Sequence, residues 1–366
     1  MVCLVPIKKS EINMTWVHIV GGGVAGLSLA EALSRFGNLP GKVIISDPVY
    51  GTREDRTYSF WSKNNHVDDF PKANRYSRWL FSAEDKIIPH HGVQWHYYRI
   101  SGKEFFQRRL SSIEQHPQIE FRQERLTSPP DAAHVFDSRP PEEKFFLACQ
   151  SFVGMEWQCN HGLNLETALL MTNMRYDSLG LIFEYILPIS KNKVLVESTF
   201  FGRGSGNLTQ LRENVVEWIN SRGLTGTIIR REQAHIPMGI KPNIEDSWGQ
   251  PIGARGGMTR ASSGYGWLRI SEWASMAAAQ LITKNHVKRY QNPRLETWMD
   301  RQLLKIIKTK PHSLPKLFLA IAQNTSGDDF ASFLTRATLA SSARMVWDCP
   351  FRPFLLSTIG RADLIQ

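Results

Sequence analysis

Gly21, Gly23 and Gly26 stand in GxGxxG spacing, and Asp47 follows twenty-one residues after the last of them. Glycines so spaced let the backbone turn sharply, approach a pyrophosphate and pack a helix on a strand, and a carboxylate about twenty residues on is placed to hold a ribose hydroxyl. That is the chemistry of dinucleotide binding. A second small-residue stretch, 253–267, carries Gly256, Gly257, Ser263, Gly264 and Tyr265, and a helical pattern through Ala274, Ala277, Ala278 and Leu281 follows it. A Gly/Ser loop that opens a helix offers backbone amides to an anion. The two ends of the chain are therefore expected to converge on one cofactor.

Positioning these residues requires a strand, a turn and a helix in that order. The apolar run from Trp16 to Val20 reads as a buried strand, Leu27, Leu29, Ala30 and Leu33 repeat at helical spacing, and Lys42–Asp47 reads as a second strand. Phe105 to Leu110 reads as helix and Ile119 to Arg122 as strand, leading to an apolar strand over Ala133–Arg139 that returns to the dinucleotide sheet. Leu181–Pro188 and Lys193–Phe201, joined by a Ser-Lys-Asn-Lys turn, predict a separate antiparallel sheet. Leu211–Asn220 is helical, as is most of the chain from Pro293 onward. The expected fold class is α/β, with a Rossmann-type dinucleotide-binding domain interleaved with an antiparallel-sheet substrate domain and a helical C-terminal region. The expected boundaries are an arm at 1–13, dinucleotide-binding segments at 14–62, 101–160 and 251–290, substrate segments at 63–100 and 161–250, and the helical region at 291–366.

With 366 residues the chain can bury a large core. Cys3, Cys149, Cys159 and Cys349 are scattered with no CxxC pair, which argues against zinc and against a disulfide framework and fits a reducing cytoplasm. His90, His91 and His96 lack the spacing of a metal site. The first nine residues place Lys8 and Lys9 after a short apolar stretch, the reverse of a signal peptide, and no apolar run approaches a membrane span. The net charge of +10 implies attraction to an anionic surface. Phospholipid fits better than nucleic acid, because no RNP-like, zinc-finger or helix-turn-helix pattern accompanies the charge. Met299, Leu303, Ile306 and Ile307 share one helical face opposite Arg301, Lys305 and Lys308. That segment is either a basic helix lying on a membrane or a core-packed helix with a solvated lysine face. The expected location is the cytoplasm, peripherally at the inner face of the membrane.

Several motifs then occur in one order: the glycine unit with Asp47, Arg56-Thr-Tyr-Ser-Phe-Trp61, Phe136-Asp-Ser-Arg139, Gln150-Ser-Phe-Val-Gly154, Tyr185-Ile-Leu-Pro188 with Leu195-Val-Glu-Ser-Thr199, Ile236-Pro-Met-Gly239 and Ser262-Ser-Gly-Tyr-Gly-Trp267. With them the chain resembles the flavin-dependent lycopene cyclase family, within the flavoproteins shaped like p-hydroxybenzoate hydroxylase and glutathione reductase. The resemblance implies FAD in its reduced form as cofactor, held at the glycine unit, Asp47, Arg56, Asp137 and the 253–267 loop. It also implies a hydrophobic carotenoid or other polyprenyl substrate and a redox-neutral closure of a six-membered ring at its alkene end. Glu197 is the implied catalytic residue, acting as acid, base or both. Strand alternation puts it on one face with Leu195 and Thr199. An apolar pocket would keep it protonated, and the anionic reduced flavin is its electrostatic partner. Trp61, Trp157, Phe183, Tyr185 and Trp267 are candidates for lining a polyene tunnel. Two departures stand out: Ser198 replaces the motif's second acid, and Met171-Thr-Asn-Met-Arg175 places Thr172 where the family usually shows Asp. The rival readings are a flavin monooxygenase, whose Gly-Asp-Ala-x-His and Asp-Gly elements are missing at Gly256–Thr259 and Asp137–Ser138, a flavin-dependent isoprenoid reductase, and a non-catalytic isoprenoid-binding flavoprotein.

Overall fold

The glycine unit lies where its sequence demands, between a strand buried on both faces and a helix of small residues. A computed structural model describes residues 15–50, 56–63, 70, 72–241 and 246–336. The N-terminal arm at 1–13, Cys3, Cys349 and the chain beyond 336 lie outside the described residues. The chain runs β1 (Thr15–Val20), α1 (Val24–Ser34), β2 (Lys42–Asp47), β3 (Thr57–Lys63), β4 (Asn74–Tyr76), β5 (Arg78–Ala83), β6 (Lys86–His91), β7 (Trp95–Ser101), α2 (Gly102–Glu114), β8 (Ile119–Gln123) and β9 (His134–Asp137). It continues through β10 (Phe146–Cys159), β11 (Thr167–Asp177), β12 (Gly180–Ser190), β13 (Lys193–Gly202), α3 (Leu208–Asn220), β14 (Gly226–Ile240), β15 (Gln250–Pro251), α4 (Trp267–Lys284), α5 (Arg294–Thr309), α6 (Leu314–Gln323) and α7 (Gly327–Thr335).

Five parallel strands form the first sheet in the order β15-β9-β1-β2-β8. β1 and β2 are buried on both faces beyond their first residues and carry apolar runs at Trp16–Val17, Ile19–Val20 and Val43–Ile45, as suits parallel strands covered by helices. β9 joins beside β1, so the segment ending in Asp137 does return to this sheet. α1 buries Ala25, Gly26, Ser28, Ala30 and Ala32 and packs on α4, which buries Ala274, Ala277 and Ala278. Small residues on both let the two helices lie close together.

A second sheet has the order β14-β10-β13-β12-β11-β5-β6, and a three-stranded sheet β3-β7-β4 stands between. The hairpin β12–β13 lies at the centre of the larger sheet, in the register that its alternation predicts. Val194 and Val196 pack with Val215, Trp218 and Ile219 of α3, whereas Leu195 and Phe201 pack with the C-terminal helices. β10, expected within the 101–160 dinucleotide segment, hydrogen-bonds along most of its length to β13 and β14 and so belongs to this second sheet. Pro237 is tolerated because β14 is an edge strand.

The helices α5 to α7 cover the open face of this sheet. Met299, Leu303 and Ile306 of α5 line the cavity beneath, Leu304 and Ile307 are buried, and Arg301, Lys305 and Lys308 are exposed. Of the two readings of this helix, its apolar stripe is spent inside the protein and only its basic face meets solvent. Buried ion pairs fix this roof: Asp300 accepts from Arg260 Nε at 3.2 Å and from the Ala261 amide at 3.1 Å, and Glu296 pairs with Arg269 at 2.6 Å. Among the described residues no helix is long and apolar enough to cross a membrane.

Candidate active site

A cavity of about 640 Å³ runs from the N-terminus of α1 to the sheet face of β12, β13, β10 and β14, under the roof of α5 to α7. Its two ends differ in chemistry.

At the first end, Gly23, Val24 and Ala25 meet Ser138, Arg139, Gly253 and Ala254, with Arg56 alongside. The helix N-termini of α1 and α4 both open here, since Gly266, Trp267 and Ile270 also line the cavity. Unpaired amides and the helix dipoles favour an anion at such a place. Gly21 has φ +104°, and a β-carbon on Gly26 would lie 2.0 Å from the Gly21 carbonyl oxygen, so neither position admits a side chain without displacement. A β-carbon on Gly23 would meet nothing within 4 Å. Turn, helix contact and open approach are thus divided among three glycines as a pyrophosphate requires. Asp47 is buried behind the turn and accepts the Gly22 amide at 2.7 Å and the Val49 amide at 2.8 Å. These features fit a dinucleotide.

The other expected cofactor residues divide. Arg56, Ser263, Gly264 and Tyr265 line the cavity. Asp137 does not: it is fully buried, pairs with Arg139 at 2.7 Å, accepts the Trp248 amide at 3.1 Å and faces Arg255 at 3.7 Å. These partners hold its carboxyl below the ordinary carboxylate range against the opposing effect of burial, and its work is to organise the loops at the sheet edge. Gly256 and Gly257 likewise shape the turn and stay off the cavity wall, where Gly253 and Ala254 stand instead. Sequence spacing identifies the loop but not which glycine faces inward.

At the second end, Glu197, Thr199 and Phe201 of β13 face the cavity together. Ser198 points the other way and its hydroxyl bonds to Asn214 of α3 at 3.1 Å. The acid that Ser198 replaces would therefore not reach this cavity from the same backbone position. Thr172 is also spent on structure, donating to the Glu184 carbonyl at 3.1 Å. A second carboxylate arrives from elsewhere, because Gly154 of β10 lies directly opposite both Glu197 of β13 and Glu232 of β14. Both glutamates line the cavity. Burial first, and the neighbouring Glu232 second, hold the Glu197 carboxyl well above the ordinary carboxylate range.

Glu232 is a residue that sequence reasoning missed. A glycine inside a long strand, Gly154, marks a close approach and was the available signal, but the pairing partner of β10 is not written in its sequence.

Aromatic side chains surround the carboxylates. The Tyr97 hydroxyl lies 2.7 Å from that of Tyr185 and 3.0 Å from that of Tyr265, in a buried cluster that also includes Trp61, 4.5 Å from Tyr97 between ring centroids. Burial pushes the Tyr265 hydroxyl up to about 12, so the cluster is neutral at physiological pH. Trp61, Phe183, Tyr185 and Trp267 all line the cavity as expected. Trp157 does not; it packs against Val215, Trp218 and Ile219 on the opposite face of the sheet, because odd-numbered residues of β10 point toward α3. Apolar walls, neutral hydroxyls and a carboxyl whose ionisation burial opposes together make a chamber suited to adding a proton to a hydrocarbon.

Comparison with known proteins agrees with this picture. A family model described as lycopene cyclase protein matches residues 17–310. The lycopene beta-cyclase of Pantoea ananas is 28% identical over 122 residues, 32% of this chain and 32% of that protein. The lycopene beta-cyclase of a Paracoccus species is 25% identical over 158 residues, 40% of this chain and 41% of that one. The chain thus matches well under half the length of these relatives. Among solved structures, a geranylgeranyl bacteriochlorophyll reductase-like protein of Thermoplasma acidophilum superposes over 96% of this chain and 100% of its own, with TM-score 0.56 and 12% identity. A flavin-dependent brominase covers 97% of this chain and 100% of its own, with TM-score 0.53 and 11% identity. At such identities the likeness is one of fold. Because the family model takes in most of the chain, from the glycine strand through the roof helix α5, this protein belongs to the lycopene cyclase family.

Proposed function

We propose that the protein is a flavin-dependent, redox-neutral cyclase that closes a six-membered ring at the alkene end of a carotenoid or similar polyprenyl chain. The observation that carries this reading is the placement of Glu197, a carboxyl pushed well above the ordinary carboxylate range by burial and by Glu232, in an apolar, aromatic-lined chamber continuous with a dinucleotide cradle. Protonating an alkene demands an acid kept dry, and the resulting cation demands electron-rich surroundings. Glu197 delivers its proton to the terminal alkene carbon, a neighbouring alkene attacks the tertiary cation, and loss of a proton restores a double bond. The rings of Trp61, Tyr97, Tyr185 and Tyr265 present π-faces and hydroxyl oxygens to the cation. Reduced FAD, when bound, supplies an anionic, electron-rich surface that steadies positive charge without being consumed. Gly23 and the turn shaped by Gly21 and Gly26 would admit its pyrophosphate, Asp47 at the end of β2 would take a ribose hydroxyl and Arg56 would balance phosphate charge.

The product is then an isomer of the substrate, and reaction in deuterated water places deuterium in the new ring. Mass analysis of the products from cells accumulating lycopene or shorter polyprenyl chains checks both. A product heavier by two hydrogens identifies a reductase, and one heavier by an oxygen atom identifies a monooxygenase.

A substrate of this kind resides in lipid, and the exposed Arg301, Lys305 and Lys308 of α5, with Lys316 of α6, give the roof of the cavity a basic outer surface. The protein is expected to sediment with anionic but not neutral liposomes and to be released by salt, because screening largely removes such attraction beyond about 10 Å at 0.1 M and at shorter range still at higher salt. Equal binding to both lipid types contradicts this electrostatic attachment.

A further inference from the structure

The strands β13 and β14 flank β10, so residues across it start on backbones about 9.5 Å apart. Side chains normally fill that gap. At Gly154 there is none: a β-carbon there would lie 2.9 Å from the Cγ of both Glu197 and Glu232 and 3.0 Å from Glu197 Oε1. The absent side chain is the space in which the two carboxyls meet.

Their surroundings are unequal. Glu232 is paired with a cation, with Arg230 Nη1 at 3.0 Å from one oxygen, and Arg230 Nη2 at 3.2 Å and the Thr57 hydroxyl at 3.0 Å donating to the other. Arg230 also donates to Glu156 at 2.9 Å, and Glu156 in turn faces Arg99 at 3.4 Å and Lys193 at 3.5 Å. Among the described residues no cation lies within ion-pair distance of Glu197. The groups facing it are Glu232 from β14, Tyr185 from β12 and Tyr265 from the 253–267 loop, with Arg230 and Arg99 farther off.

We propose that Glu197 and Glu232 form a proton-sharing carboxyl pair across Gly154, in which Glu232 stays ionised and holds the reactive proton on Glu197. Two like charges this close resist double ionisation, so the pair binds one proton, and the cation beside Glu232 decides which oxygen carries it. Glu232 is a positioning residue; the inference rests on Glu197 being the acid of the proposed cyclisation. In the forward step the Glu197 O–H bond breaks and a C–H bond forms at the alkene carbon, leaving two carboxylates facing one carbocation. Their repulsion favours return of a proton: a ring C–H bond breaks and the Glu197 O–H bond re-forms. One residue thus serves as both acid and base.

The test is difference infrared titration of the flavin-loaded protein without substrate, following the protonated carboxyl band that disappears in Glu197→Gln. In Glu232→Gln this band is expected to vanish at lower pH than in the wild type, because removing a negative neighbour makes the remaining carboxyl a stronger acid. Glu232→Asp, which keeps the charge and the Arg230 pair, is expected to titrate close to the wild type. The alkaline limb of the cyclisation pH profile should move to lower pH in Glu232→Gln, with turnover there falling by about tenfold or more and recovering toward acid pH. If Glu232→Gln does not fold, Gly154→Ala wedges the carboxyls apart and is expected to shift the band the same way. A Glu197 band that titrates at the wild-type pH in whichever of these variants folds overturns the pair. An infrared shift as expected, in a protein whose Glu197→Gln variant still cyclises, instead leaves the pair standing and removes Glu197 as the acid.

Discussion

Glu197→Gln is expected to lower ring closure by roughly a hundredfold or more, since that is what loss of one proton-transfer group typically costs. The amide keeps the shape of the acid and its place on β13 between buried Val196 and Ser198. It cannot release a proton to carbon. Burial and the adjacent Glu232 keep the native carboxyl protonated above the pH at which an ordinary glutamate ionises. Wild-type turnover is therefore expected to persist above the ordinary carboxylate range and to fall as pH rises through the elevated value, whereas the residual activity of the Gln variant should lack that limb. Flavin content should be unchanged, because the amide keeps the size and shape of the carboxyl and leaves the glycine turn untouched. Turnover and flavin absorbance measured on the same samples check the prediction, and full activity in the Gln variant relocates the acid, with the Tyr97–Tyr185–Tyr265 cluster the next candidate.

Gly26→Ala is expected to cost about 1–3 kcal/mol of stability and, through the same displacement, to weaken flavin binding by about tenfold or more. The added carbon would sit 2.0 Å from the Gly21 carbonyl oxygen and 3.1 Å from Ile19 Cγ2. Neither neighbour can retreat cheaply: Ile19 lies in the middle strand of the parallel sheet, and Gly21 is fixed by the hydrogen bond its N–H donates to the Ser46 carbonyl at 2.8 Å. Either α1 tilts away from β1 or the turn opens, and both move the amides that face the cofactor. Gly23→Ala provides the contrast, since its new carbon meets no protein atom within 4 Å and should leave the melting temperature unchanged while obstructing the pyrophosphate. Thermal melts and flavin titrations of the two variants check the division. An unaltered melting temperature in Gly26→Ala would falsify the close-packing argument.

Local signals carried much of this protein into view. The strand, turn and helix around Gly21, Gly23 and Gly26 depend on interactions within a few residues, so β1, α1 and β2 fall where periodicity places them. Alternation on β13 likewise sets Glu197 apart from Val194 and Val196, because successive side chains on a strand must point to opposite faces. The same rule, once α3 is known to cover one face, explains why Ser198 and Trp157 turn away from the cavity.

Other features depended on which strands become neighbours. Glu232 is seventy-eight residues from Gly154, and only the pairing of β14 with β10 brings it beside Glu197. The stripe Met299, Leu303 and Ile306 has the same period whether it meets lipid or protein, and only the placement of α5 over the sheet turned it inward. Asp137 ends its strand as expected, yet buried Arg255 and nearby Arg139 claim its carboxylate for the loops. The sequence by itself determined the dinucleotide unit, the antiparallel hairpin and the side of β13 on which the acid stands, since backbone geometry dictates these locally. Tertiary structure alone decided the partner of that acid and the roof above it, because contacts between distant strands and helices are set by how whole faces bury one another.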